Sequence, residues 1–140
     1  MEITRRTDYA TRIMLQLAAL PEGQRLSARE LGELADVTYP FARTIITELA
    51  SAGLVDARRG PRGGVALARP ASEITIYDIV SVMEGGVCLN VCVTEPGYCT
   101  HAAGCSAHEV WASAGALLSD YLASRDLESL VSVPVLPSDK

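Results

Sequence analysis

Aromatic residues are scarce in this chain: five Tyr, one Trp and one Phe make 5% of its 140 residues. Leu, Ile, Val and Ala must therefore fill the core that a 49% apolar content builds. No apolar run approaches the roughly 20 residues that span a bilayer, so no membrane-crossing helix and no membrane partner is expected. The opening stretch, 1–8, is charged and leads into a patterned helix instead of a signal peptide's apolar segment; a cytoplasmic location is expected. There is no Gly-rich nucleotide loop, no nucleophile–base pair and no second cofactor motif, so neither an enzyme nor a small-molecule substrate is expected. Internal repeats and low-complexity stretches are also missing. Cysteine is absent from most of the chain: all four fall between Cys88 and Cys105.

The charge is uneven. The net charge is −5, yet residues 1–70 hold ten Arg against eight acids, while residues 71–140 hold one Arg and one Lys against nine acids. Arg58, Arg59, Arg62 and Arg69 follow one another with no acid between them. Local sign decides whether a surface can meet phosphate, so the first half is compatible with nucleic acid despite the acidic total.

Hydrophobic spacing lays out the elements. Ala10, Ile13, Met14, Leu17 and Leu20 give a first helix from about Asp8, with Asp8 suited to be its N-cap. Ser27-Ala28-Arg29-Glu30 has the form of a capping box and opens a short second helix that stops near Asp36-Val37. Thr38 is the next candidate cap, with Pro40 tolerated in the first turn, and the third helix is expected to bury Phe41, Ala42, Ile45, Ile46 and Leu49. Two short strands, Leu54–Arg59 and Val65–Ala68, flank Gly60-Pro61-Arg62-Gly63-Gly64, a hairpin with an arginine at its tip. Thr75 caps a further helix through Met83, the cysteine loop fills roughly 87–105, and a long helix runs from about Ser106 to Ala123. The expected fold class is mainly α with a small β-hairpin wing. Residues 1–70 would form a winged helix-turn-helix DNA-binding domain, and 71–140 the cysteine loop and a long helix whose apolar positions face more than one side, as dimerisation requires.

In such a module the early turns of the third helix meet base edges, which singles out Arg43 and Thr44, with Thr38 and Tyr39 at the helix start placed for phosphate. Arg58, Arg59 and Arg62, between glycines that include Gly63 and Gly64, would touch phosphate or enter a narrow minor groove. The expected partner is double-stranded DNA carrying a palindromic operator. A protein-interaction module whose basic wing meets an acidic partner is the reading from another class.

Cys92-x6-Cys99-x5-Cys105-x2-His108 sits in a loop with little apolar content of its own, which a bound metal would organise. Thiolates with one imidazole suit zinc or an iron–sulfur cluster. Only Cys88-x3-Cys92 has the short spacing of a zinc knuckle, and the wider gaps favour a larger cluster. The remaining alternative is a thiol- or zinc-based regulator that never holds iron.

Thr7-Asp8-Tyr9-Ala10, Ala52-Gly53-Leu54-Val55, Arg59-Gly60-Pro61-Arg62-Gly63-Gly64, three spaced cysteines and Trp111 together are similar to the iron–sulfur winged-helix repressors typified by IscR and NsrR. The resemblance covers nearly the whole chain. It implies a homodimeric, DNA-binding transcriptional regulator, a repressor, whose cluster state controls DNA affinity. By position it implies Cys92, Cys99 and Cys105 as cluster ligands. His108 resembles the fourth ligand of a [2Fe–2S] cluster, and Asp8 of the partner subunit that of a [4Fe–4S] cluster. Cys88 is extra to the pattern, and the Cys92–Cys99 gap is one residue wider than the family's.

Overall fold

The computed structural model describes residues 1–131. The expected second segment, 71–140, therefore ends on residues 132–140 that lie outside the described residues. The chain forms α1 (Arg5–Ala18), α2 (Ala28–Ala35), α3 (Tyr39–Ser51), β1 (Val55–Arg58), β2 (Gly64–Leu67), α4 (Ile76–Glu84), α5 (Val91–Thr94), α6 (Ser106–Ala123) and α7 (Leu127–Val131). It is mainly helical with one two-stranded antiparallel hairpin.

The helix starts follow local chemistry. Ser27 and Glu30 form the reciprocal capping box: Glu30 N–H donates to Ser27 Oγ at 3.1 Å and Ser27 N–H to Glu30 Oε2 at 2.7 Å. These bonds, the Ser27 amide first, hold the Glu30 carboxyl below its ordinary range. Thr75 and Asp78 repeat the device at α4. Asp36 ends α2 in the left-handed region, φ 56°, the conformation that lets α2 turn directly into α3.

Two expectations need correction here. The cap of α1 is Thr4, whose hydroxyl accepts from Thr7 N–H at 3.4 Å; Asp8 lies inside the first turn. The apolar period begins only at Ala10, so the polar first turn left no periodic signal. Phe41 is 62% exposed, because the buried stripe of α3 runs through Ala42, Ile45, Ile46 and Leu49 at helical spacing and leaves Phe41 on its flank. Thr38 occupies the N-cap position of α3 but makes no side-chain capping bond.

The core is aliphatic. Ile13, Met14, Leu31, Ile45, Leu49, Ile74, Ile79 and Leu127 are fully buried, and no aromatic side chain is among the buried hydrophobics of the described residues. Ile74, Ile79, Met83 and Leu127, from beyond residue 70, share this cluster with α1, α2 and α3. α7 was not legible in advance, since five residues carry too little periodicity; a Thr75–Asp126 bridge brings Leu127 to the core. The other extreme is α6. It packs against α4 and α5 yet has no buried residue, and Val110, Leu117 and Tyr121 stand 58%, 72% and 61% exposed.

Candidate DNA-binding face and cysteine loop

α2 and α3 meet through the Asp36 turn, and α3 packs against β1, the first strand of the wing. Tyr39, Pro40, Arg43, Thr44, Thr47 and Glu48 line one shallow groove of about 490 Å³ along the exposed face of α3. Two acids that would repel phosphate there are already engaged. Glu48 is ion-paired with Arg6 of α1. Asp56 of β1 takes Arg25 Nη2 at 2.5 Å and Arg58 Nε at 3.0 Å, and the Arg25 bond leads in holding its carboxyl below the usual range. Arg43, Arg59 and Arg62 are exposed and form no ion pair among the described residues. Arg58 is exposed but partly neutralised by Asp56.

The wing is held at its base and pinched at its tip. Arg25 Nη1 donates to the carbonyls of Asp56 at 3.1 Å and Gly64 at 3.0 Å, and Leu26 bridges Val65 through two backbone bonds. At the tip, a Cβ on Gly63 would collide with the Arg58 carbonyl oxygen and come within 2.7 Å of the Arg59 carbonyl carbon. Gly64, at φ 118°, would press a Cβ to 3.1 Å from the Leu26 carbonyl oxygen. Both positions therefore demand glycine. Arg25 was missed in the sequence, where it reads as one more surface cation. Arg29 was missed too; it stacks 4.5 Å over the Tyr39 ring beside the start of α3.

The cysteine loop contains α5 and a single 3₁₀ turn at Ala102–Gly104. All four cysteines are free and partly exposed. Cys92, Cys105 and His108 line one cavity of about 720 Å³ with Pro96, Gly97 and Glu109; Cys99 and Cys88 are not in its lining. Cys88 Sγ lies 3.4 Å from Thr94 Oγ1. His108 Nδ1 is buried and has no hydrogen-bond partner, so the imidazole does not serve as a helix cap. Among the described residues no group of three or more His, Cys, Asp and Glu is gathered closely enough to hold a metal ion. Asp8 is away from this cavity, exposed on α1 and paired with Arg12 at 2.7 Å.

The base of the loop is tied to the first turn of α1. Glu84, the last residue of α4 before the loop, accepts hydrogen bonds from Thr4 N–H at 3.1 Å, Thr4 Oγ1 at 2.6 Å and the buried Thr7 hydroxyl. The Thr4 hydroxyl, then the Thr7 hydroxyl, hold the Glu84 carboxyl below its ordinary range. The carboxylate thus sits at the positive N-terminal end of α1, bonded to Thr4, which directly precedes Arg5 and Arg6.

A helix-turn-helix with a pinched, arginine-bearing wing defines a winged helix-turn-helix transcriptional regulator. The chain belongs to the Rrf2 family of iron-dependent transcriptional regulators, which it matches over residues 3–133. That family includes the IscR- and NsrR-type winged-helix regulators that the sequence resembles. An HTH-type transcriptional regulator of Neisseria meningitidis serogroup A is 30% identical over 131 residues, 94% of this chain and 88% of that protein. Among solved structures, the global cysteine regulator CymR of B. subtilis superposes with a TM-score of 0.78 at 25% identity, covering 96% of this chain and 99% of that one. IscR of T. potens superposes with a TM-score of 0.73 at 23% identity, over 94% and 87% of the two chains. Among the described residues no helix is long and apolar enough to cross a membrane.

Proposed function

We propose that this regulator is a DNA-binding homodimer, a repressor, whose operator affinity is set by an iron–sulfur cluster in the cysteine loop. One observation carries the reading: His108, whose Nδ1 is buried without a partner, lines one cavity with Cys92 and Cys105. A buried polar atom left unpaired is costly, and ligation is one way to satisfy it. The donor set fits: Cys92, Cys99 and Cys105 are free thiols, with His108 or Asp8 of the partner subunit to complete four ligands. The ligands must close in on loading, Cys99 from outside the cavity that Cys92, Cys105 and His108 line. Bound there, the cluster would supply sensitivity to nitric oxide, oxygen or iron supply.

The transmission route is made of this chain's own residues. Glu84 ties the base of the loop to the first turn of α1, and Arg6 of that turn grips Glu48 on α3. A shift of the loop therefore reaches the recognition helix through one helical turn. On the DNA side, Arg43 and Thr44 meet the major groove, Thr38 and Tyr39 contact phosphate, and Arg58, Arg59, Arg62, Gly63 and Gly64 meet the backbone or minor groove. The exposed Val110, Leu117 and Tyr121 of α6, spaced for one face, form the dimer seam.

A second reading, thiol sensing without iron, is favoured by the dispersed geometry of the cysteines and by the likeness to a cysteine regulator. Absorption and Mössbauer spectra of anaerobically purified protein, with iron and sulfide counted per chain, separate the two. A [4Fe–4S] signature favours Asp8 as fourth ligand and a [2Fe–2S] signature favours His108. Zinc, or no metal after reconstitution, removes the cluster reading. Anisotropy titrations of loaded and stripped protein then test control: equal affinity of both forms for operator DNA removes the sensing claim.

A further inference from the structure

The exposed face of α3 carries a run of hydroxyl side chains that are all turned onto their own helix. Thr44 Oγ1 donates to the Pro40 carbonyl at 3.1 Å, Thr47 Oγ1 to the Arg43 carbonyl at 2.9 Å, and Ser51 Oγ to the Thr47 carbonyl at 3.0 Å. A hydroxyl has one hydrogen, and here each is committed to a carbonyl one turn back. Thr44 and Thr47 are both exposed and line the same groove as Arg43. Neither is free to donate to a base acceptor. What each still offers the groove is its γ-methyl and its oxygen's lone pairs, and a valine substitution keeps the first while removing the second.

We infer that Thr44 and Thr47 read DNA through their methyl groups, by apolar contact with thymine 5-methyls in the major groove, which makes Thr47 a specificity-determining residue. The thymine methyl is the one apolar feature of the major-groove code, and threonine methyls are among the groups that meet it. The two residues are three apart, about 4.5 Å along the helix axis. That is on the order of one base step along a strand, so the pair addresses neighbouring thymines. Arg43, next to Thr44, has the fork that suits a guanine beside them. This inference rests on the DNA-binding reading of α3.

The test uses full-length protein and a duplex enriched by it from a randomised library. Deoxyuridine is substituted for thymine in each half-site, removing only the 5-methyl. One buried methyl corresponds to about a fourfold change in affinity. Wild-type protein should bind the deoxyuridine duplex about fourfold more weakly per methyl removed. Thr47→Val, which keeps a methyl and loses the hydroxyl, should bind the thymine duplex as wild type does. Thr47→Ser should lose about fourfold and become indifferent to deoxyuridine; Thr44 variants should behave alike at the neighbouring position. The inference is overturned if wild type binds both duplexes equally, or if Thr47→Ser keeps full affinity while Thr47→Val loses it. Failure of the library to enrich any sequence overturns the DNA-binding reading itself, and this inference with it.

Discussion

Removing the Glu84 carboxylate tests the tie between the cysteine loop and α1. Three donors converge on it: Thr4 N–H, Thr4 Oγ1 and the Thr7 hydroxyl. A hydrogen bond to a charged group contributes roughly 1.5–3 kcal/mol, but the two Thr4 donors return to water when released, and only Thr7 is buried. Glu84→Ala should therefore cost about 2 kcal/mol, a fall in Tm of about 4–8 °C for a chain of this size. Glu84→Gln keeps a neutral acceptor and should retain about half of that. The pH dependence has a fixed sign. The folded carboxyl is held below its ordinary range by Thr4 and Thr7, so its contribution is fully present above the unfolded carboxylate value of about 4.3 and is lost as pH falls through the folded value. The stability gap between wild type and Glu84→Gln should narrow on acidification. Asp56 and Glu30, also held low, are common to both proteins and cancel in the difference. Thermal melts by circular dichroism from about pH 7 to pH 3.5 supply the measurement. A Glu84→Ala melt within about 1 °C of wild type, or a gap that stays constant with pH, refutes the reasoning.

Arg25→Ala should lose about 1–2 kcal/mol in urea unfolding by releasing two wing carbonyls, and Arg25→Lys should not restore it, because an ammonium lacks the guanidinium fork. Arg59→Ala should weaken binding to all DNA sequences alike and reduce the salt slope of log K by about one in anisotropy titrations; a sequence-selective loss would mean that Arg59 reads a base. Leu117→Glu, on a side chain 72% exposed in the single chain, should leave the fold intact and shift sedimentation equilibrium toward monomer. Cys105→Ser should lower iron and sulfide per chain after reconstitution, whereas Cys88→Ser should leave both unchanged.

The helices that build the DNA-binding half were legible because each has a local signature. The Ser27 box, the Ala42–Leu49 stripe and the glycines of the wing are readable one residue at a time. The tethers were not, because they join residues distant in the chain: Thr7 with Glu84, Arg6 with Glu48, Arg25 with Asp56. Phe41 shows the same boundary from the other side, since an aromatic beside a buried stripe is exposed or covered according to which helix crosses it. At the candidate metal site, spacing picked out Cys92, Cys105 and His108, which do share a cavity, but spacing does not report loop conformation, and Cys99 lies outside that lining.

α6 has 18 residues and not one of them is buried. Val110, Leu117 and Tyr121 leave an apolar strip along its outer face. Its inner face packs on α4 and α5, and if another copy of the chain covers the outer face, mass action governs that covering. Dilution would then uncover that strip while the aliphatic core, which α4 and α7 share with α1 and α3, stays intact. Newly made chains at low abundance would carry a finished core and a bare α6 strip, covered only as their numbers rise. The number of copies in the cell would then act on this regulator as an input in its own right.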